Sequence, residues 1–174
     1  ELEEAVNKLN YGQVPVVIKP CIGNGSRGIR VLDGKADRFD LLFNQKPNSI
    51  FSTLEEVLTS IGDKKIPKLV VSEYLPGVEL TIDTIVNKGT LLDCLIRTRT
   101  SINNGISTAG SFIDNKEIYE YVDKIVSSIP GLEGPVGFQV KKSAKGRYLL
   151  LESNPRIQGT SVAALGLGVN LPLR

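Results

Sequence analysis

Apolar residues at Leu2, Val6 and Leu9 recur at the spacing of one helix face, and Gly12 follows where that helix should stop, which predicts a short helix over residues 1–10. Residues 14–20 (Val-Pro-Val-Val-Ile-Lys-Pro) are β-branched and bounded by proline, and residues 29–32 (Ile-Arg-Val-Leu) alternate before a turn at Asp33 and Gly34. Together they predict a β-hairpin around a glycine-rich loop. Leu54, Val57, Leu58 and Ile61 return to helical spacing, with Ser52 or Thr53 available as the N-cap. Residues 35–51 are ambiguous.

From Leu69 the pattern changes. The runs 69–75, 78–87 and 91–98 read as strands joined at Pro76-Gly77 and Lys88-Gly89, which is the chemistry of an antiparallel meander. Residues 117–128 put Ile118, Tyr121, Val122 and Ile125 on one face and predict a helix that ends before Pro130-Gly131. Two more strands, 136–141 and 147–153, flank the polar turn 143–146. The expected class is α+β, with a small lobe over 1–68 and a larger antiparallel-sheet lobe over 69–174.

Composition narrows the chemistry. With 174 residues the chain can build a core without disulfides. A formal net charge of +2 gives no reason to expect a nucleic acid, and no apolar run approaches the roughly 20 residues that span a bilayer. There is no histidine, and the two cysteines, Cys21 and Cys94, lie far apart, so zinc sites and Cys/His catalysis are excluded. A reducing, cytoplasmic compartment fits this cysteine usage. Any metal ligand or base must come from Asp, Glu, Asn, Gln, Lys or water. The chain opens on Glu1 and stops just after a glycine-rich apolar stretch, so an excised core with a truncated C-terminal sheet is expected.

Three features could carry chemistry. Gly23, Gly25 and Gly28, with Ser26 between them, satisfy GxGxxG, but the loop is followed by a strand where a dinucleotide fold needs a helix N-terminus. No GK[ST] closes it as a P-loop either. What remains is a hairpin whose bare backbone N–H groups cover phosphates, or simply a flexible tip. Lys19 sits in an apolar strand, where an ammonium needs an anion unless an edge position turns it to solvent. After the apolar run 149–151, alternation puts Glu152 and Asn154 on one face, and Gln139 on the adjacent strand could add a third oxygen. One carboxylate with amide oxygens, water and phosphates suits Mg²⁺, and Arg156 beside it suits a phosphate. Read alone, the same residues could be a strand end and an Asn-Pro turn.

In order along the chain stand Lys19-Pro20, the loop 23–28, residues 73–79 (Glu-Tyr-Leu-Pro-Gly-Val-Glu), Gln139 and residues 152–156 (Glu-Ser-Asn-Pro-Arg). This order resembles the ATP-grasp superfamily, and among its branches the ATP-binding domain of the carbamoyl phosphate synthase large subunit, over nearly the whole chain. The resemblance implies an ATP-grasp fold, with a small lid lobe, a larger antiparallel-sheet lobe with flanking helices, and ATP in the cleft between them. It also implies that Lys19 and the loop of Gly23, Gly25, Ser26 and Gly28 hold the phosphates, that Glu73, Tyr74 and Leu75 line the adenine, and that Glu79 takes the ribose. Gln139, Glu152 and Asn154 would hold Mg²⁺, or Mn²⁺ in its place, and Arg156 would face the transferred phosphate. The segment of Gly105, Ile106, Ser107 and Thr108 would reach substrate, joined by Arg97 or Arg99. The implied reaction forms an acyl phosphate from a small carboxylate and passes it to an amine or ammonia. Carbamoyl phosphate synthase usually carries arginine at the place of Lys19 and histidine at that of Ser107. The N-terminal domain of the superfamily would be a further partner in the same protein, a homo-oligomer is compatible, and a nucleotide-binding module without turnover is the alternative.

Overall fold

The computed structural model describes residues 1–22, 27–44, 50–103 and 106–173. The chain divides into two compact units, Glu1–Tyr74 and Leu75–Arg174. Among the described residues no helix is long and apolar enough to cross a membrane.

In the first unit, α1 (Leu2–Lys8) is followed by β1 (Val16–Pro20), β2 (Arg30–Leu32), α2 (Arg38–Phe43), β3 (Phe51–Ser52), α3 (Leu54–Ile61) and β4 (Leu69–Glu73). The sheet order is β3-β2-β1-β4, antiparallel except for the parallel pair β2 and β3. Val16 and Ile18 alternate into the core with Val6 of α1 and Leu32 of β2, and Leu54, Val57 and Val71 pack around them. Thr53 is the cap of α3 and completes a capping box: its hydroxyl accepts from the Glu56 amide, and the Glu56 carboxylate accepts from the Thr53 amide at 2.9 Å. The ambiguous stretch contains α2, a six-residue helix whose cap Asp37 accepts from the amides of Phe39 and Asp40.

In the second unit, β5 (Glu79–Asn87) and β6 (Thr90–Thr98) form a hairpin, β7 (Ser101–Asn103) and β8 (Ile106–Ala109) a separate one, and β9 (Phe112–Ile113), α4 (Lys116–Ser127), β10 (Gly134–Lys142) and β11 (Tyr148–Asn154) complete the element order. The five-stranded sheet runs β11-β10-β5-β6-β9, with every neighbouring pair antiparallel. Asn115 caps α4, and Ile118, Val122 and Val126 at i, i+4, i+8 are fully buried against Leu80, Ile82, Phe138 and Val140. Burial of each such side chain is worth on the order of 1.5–3 kcal/mol. The opposite face of the sheet is apolar near Ile85, Ala164 and Leu171 and polar elsewhere.

Two expectations need correction. The strand at 69–75 does not lead a meander: β4 pairs with β1, Val16 opposite Glu73 and Pro20 opposite Leu69, so it belongs to the first sheet and the division falls after Tyr74. Both edges of β5 are already taken, by β10 and β6. The lobe boundary expected at 68/69 moves with β4, and α4 carries the chain across to the far side of β5, where β10 and β11 pair around their turn as expected. The small hairpin of β7 and β8, with β9 beside β6, gave no sequence signal because its strands are two to four residues long.

Candidate functional site

Register builds the site. Arg97 of β6 lies opposite Thr81 of β5, Thr81 opposite Gln139 of β10, and Gln139 opposite Glu152 of β11. Residues directly opposite on neighbouring strands project from one face, so these four form a polar row across the sheet, on the reverse of the face that α4 covers. A bulge between Gln139 and Val140 leaves Leu151 as the extra residue on β11. Beyond it, Glu152 and Asn154 share that face, and the Asn154 amide donates to a Glu152 oxygen at 2.5 Å.

A pocket of about 320 Å³ stands over this row, lined by Thr81, Arg99, Ser107, Gln139, Glu152, Asn154, Arg156, Gln158, Gly159 and Thr160. It gathers Gln139, Glu152, Asn154, Arg99 and Arg156. Arg99 is ion-paired with Glu79 and also donates to the Gln139 side-chain oxygen at 3.3 Å. Arg97, the other arginine considered from sequence, does not line the pocket. It is buried, it donates to Asp83 from Nη2 at 2.6 Å and from Nε at 3.1 Å, and it lies over the Phe112 ring.

The remaining sequence candidates lie elsewhere. Lys19 is half-buried on β1, on the face away from Val16 and Ile18. Gly28 has φ +75°, and a Cβ there would come within 2.8 Å of the Pro20 ring, so both conformation and space require glycine. Glu73 ends β4 and is exposed, and the Tyr74 ring stands edge-on to Phe51. Leu75, the first residue of the second unit, is buried. Glu79 is engaged by Arg99, an arrangement that its proposed ribose role did not anticipate. Gly23, Gly25, Ser26 and Gly105 lie outside the described residues. Sequence reasoning missed Thr81, Gln158 and Thr160. Thr81 was legible through the period-two register of β5 once its pairing with Gln139 was known; Gln158 sits in an irregular loop without a period.

No group of three or more His, Cys, Asp or Glu gathers among the described residues. The candidate cation ligands are therefore one carboxylate, Glu152, and two side-chain amide oxygens, from Gln139 and Asn154. All three are oxygen donors, which fits a small hard cation that completes its shell with water and phosphate.

The second unit, together with the end of the first, matches a family model described as ATP-grasp in the biosynthetic pathway with Ter operon, over residues 65–174, and the chain belongs to this ATP-grasp family. Solved structures extend the likeness to the whole chain. The biotin carboxylase domain of Hydrogenobacter thermophilus 2-oxoglutarate carboxylase, crystallised with MgADP, ADP and bicarbonate, superposes with a TM-score of 0.66 at 20% identity, covering 98% of this chain and 37% of that one. N5-carboxyaminoimidazole synthetase of Staphylococcus aureus gives 0.61 at 18% identity, covering 94% and 39%. L-amino acid ligase of Bacillus licheniformis gives 0.54 at 18% identity, covering 90% and 36%. At these identities the likeness establishes the ATP-grasp fold, and the chain spans little more than a third of each relative. No curated protein matches it.

Proposed function

We infer that this chain is the nucleotide-binding core of an ATP-dependent carboxylate–amine ligase that works through an acyl phosphate. The observation that carries this reading is the pocket over the polar row, where Glu152, Gln139 and Asn154 meet Arg99 and Arg156. Mg²⁺ held by the three oxygen donors supplies charge neutralisation at the phosphates. Arg156 contacts the terminal phosphate as a planar cation, and Arg99, held by Glu79, keeps a second positive charge beside Gln139.

Phosphoryl transfer of this kind depends on alignment and charge and requires no side-chain nucleophile, which suits a chain without histidine. Of the first unit, Lys19 and the backbone around Gly28 bind phosphate and Glu73 and Tyr74 serve the adenine; of the second, Leu75 serves the adenine and Glu79 the ribose. The second substrates are a small carboxylate and an amine or ammonia. The resemblance to carbamoyl phosphate synthase supports this chemistry, while Lys19 and Ser107, at places where that enzyme usually has arginine and histidine, favour another carboxylate as the acceptor.

Calorimetric titration with ATP tests the first half: binding is expected with Mg²⁺ and is expected to weaken when the metal is chelated. ATP that binds equally well in chelator would overturn the metal assignment. Trapping with hydroxylamine tests the second half, because an acyl phosphate yields a hydroxamate and direct hydrolysis of ATP yields none.

A further inference from the structure

A buried polar network that the proposed reaction does not use directly reaches the pocket lining at Gln158. Asp83 is 3% exposed. Its Oδ2 accepts both bonds from Arg97, and its Oδ1 accepts from the Ser161 hydroxyl at 2.5 Å and from the Gln158 side-chain amide at 3.0 Å. Gln158 also donates from that amide to the Ile82 carbonyl at 3.3 Å and from its backbone N–H to the Ser161 oxygen at 3.1 Å. Room for this side chain comes from Gly137 on β10, where a Cβ would lie 2.3 Å from the Gln158 Cδ.

Burying four polar side chains is costly unless each is paired, and a paired network admits few alternative arrangements. Its anchors on one side are strands β5 and β6. On the other side are Gln158 and Ser161, in the segment that follows β11 and has no strand partner. Arg156 lies two residues before Gln158 and Thr160 two residues after it, and both line the pocket. The Arg156 guanidinium donates to the Ile157 carbonyl at 3.1 Å, and the next residue, Gln158, ties that stretch to β5 between the end of β11 and the buried Ala164.

We propose that Gln158 and Ser161, held by Asp83, are positioning residues that fix Arg156 against the terminal phosphate of ATP. This inference rests on the role given to Arg156 under the proposed function. It predicts a loss specific to the terminal phosphate, which a purely structural role would not give.

Binding of Mg²⁺-ATP and Mg²⁺-ADP to the 174-residue chain is measured for the parent, Gln158→Met, Ser161→Ala, Arg156→Ala and the double variant Arg156→Ala/Gln158→Met. Gln158→Met keeps the volume and removes the amide donors; Ser161→Ala is the milder variant that decides the matter if Gln158→Met does not fold. Each single variant is expected to weaken ATP about tenfold more than ADP, the scale of one lost charge-assisted contact. The double variant is expected to be no worse than Arg156→Ala, because both changes remove one function. Ser161→Thr, which keeps the hydroxyl, is expected to restore the ATP preference. Equal losses for ATP and ADP in Gln158→Met, or losses that multiply in the double variant, would overturn the inference and leave the pocket reading standing. If Arg156→Ala itself keeps the preference for ATP, the role of Arg156 falls and this inference falls with it.

Discussion

The two units present their candidate groups in different ways. Among the described residues of Glu1–Tyr74 the core cluster contains four buried side chains, Val6, Val16, Ile18 and Leu32, and the candidate ligands are a strand lysine and the backbone of a glycine loop. Among those of Leu75–Arg174 the larger cluster has eleven, and the candidate ligands are side chains set in register across one sheet. A metal ion needs oxygens held to within fractions of an ångström, and a sheet whose reverse is filled by α4 provides that. Phosphate capture by backbone N–H groups tolerates a less buried unit. Precision thus falls where burial is greatest, and opening at lower free energy is expected in the first unit.

The largest effect should come from the core behind the row. Phe138 is 1% exposed and stands next to Gln139 with its ring toward α4. Phe138→Ala is expected to cost about 3–5 kcal/mol in chemical denaturation. Hydrogen exchange would then show the loss throughout the second unit, and a loss spread equally over both units would break the contrast.

Next in size is Glu152→Gln. Glu152 is the one carboxylate among the three donors and is exposed, so the neutral variant should fold normally. Removing a first ligand is expected to cost more than the roughly 10- to 100-fold that loss of an outer partner costs. Calorimetry with Mg²⁺-ATP checks this, and Gln139→Ala should lose less. An unchanged titration curve for Glu152→Gln would move the metal away from the row.

How much of this was legible in the sequence follows the same contrast. The Glu-Ser-Asn-Pro-Arg run put Glu152 and Asn154 on one face of the pocket because a strand's period of two is visible in one segment. Gln139 was found as a neighbour because β10 and β11 are joined by a short polar turn, which fixes their pairing. The partner of β4 was misread because pairing to β1 spans about fifty residues, and nothing local in Leu69-Val70-Val71-Ser72-Glu73 distinguishes β1 from β5 as its neighbour. Asp83 and Gln158 were missed for the same physical reason: a buried hydrogen bond between residues 75 apart in sequence leaves no periodic trace. Arg99 was separated from Arg97 only by the structure, since both lie on the same face and differ in what stands opposite.

A smaller effect probes the first unit. Thr53→Ala removes the hydroxyl that accepts from the Glu56 amide, and the cost is expected to be about 1 kcal/mol. Because α3 has no fully buried residue, its opening should become easier with little change in the second unit. Hydrogen exchange at the start of α3 measures it. A cooperative loss over both units would show that they do not open independently.

The smallest effect at neutral pH is expected from the cysteines, which happen to stand one in each unit. Cys21 is exposed in the first, just after β1, whereas Cys94 is half-buried in β6. Burial, reinforced by the carboxylates of Asp123 and Asp83, pushes the Cys94 thiol from 9.0 up to about 12. The folded state therefore keeps a proton that the unfolded chain releases near pH 9. Stability from this source is fully present below about 9 and is lost as pH rises toward 12. Denaturation at pH 7 and at pH 8 should accordingly give the same stability in the parent, and a decline should begin only above 9. Cys94→Ala should flatten that decline, with a small loss at neutral pH from the packing its sulfur makes against the core of the second unit. Thiol alkylation gives the sharper reading: with its thiol pushed up to about 12, Cys94 in the folded state carries far less thiolate at pH 8 than an ordinary thiol. At pH 8 one equivalent of iodoacetamide should react quickly, at Cys21, and the second should follow only as the second unit opens. Equal rates at the two cysteines would mean that β6 is no better protected than the end of β1, and the contrast in packing between the units would fail at the strand that carries Arg97.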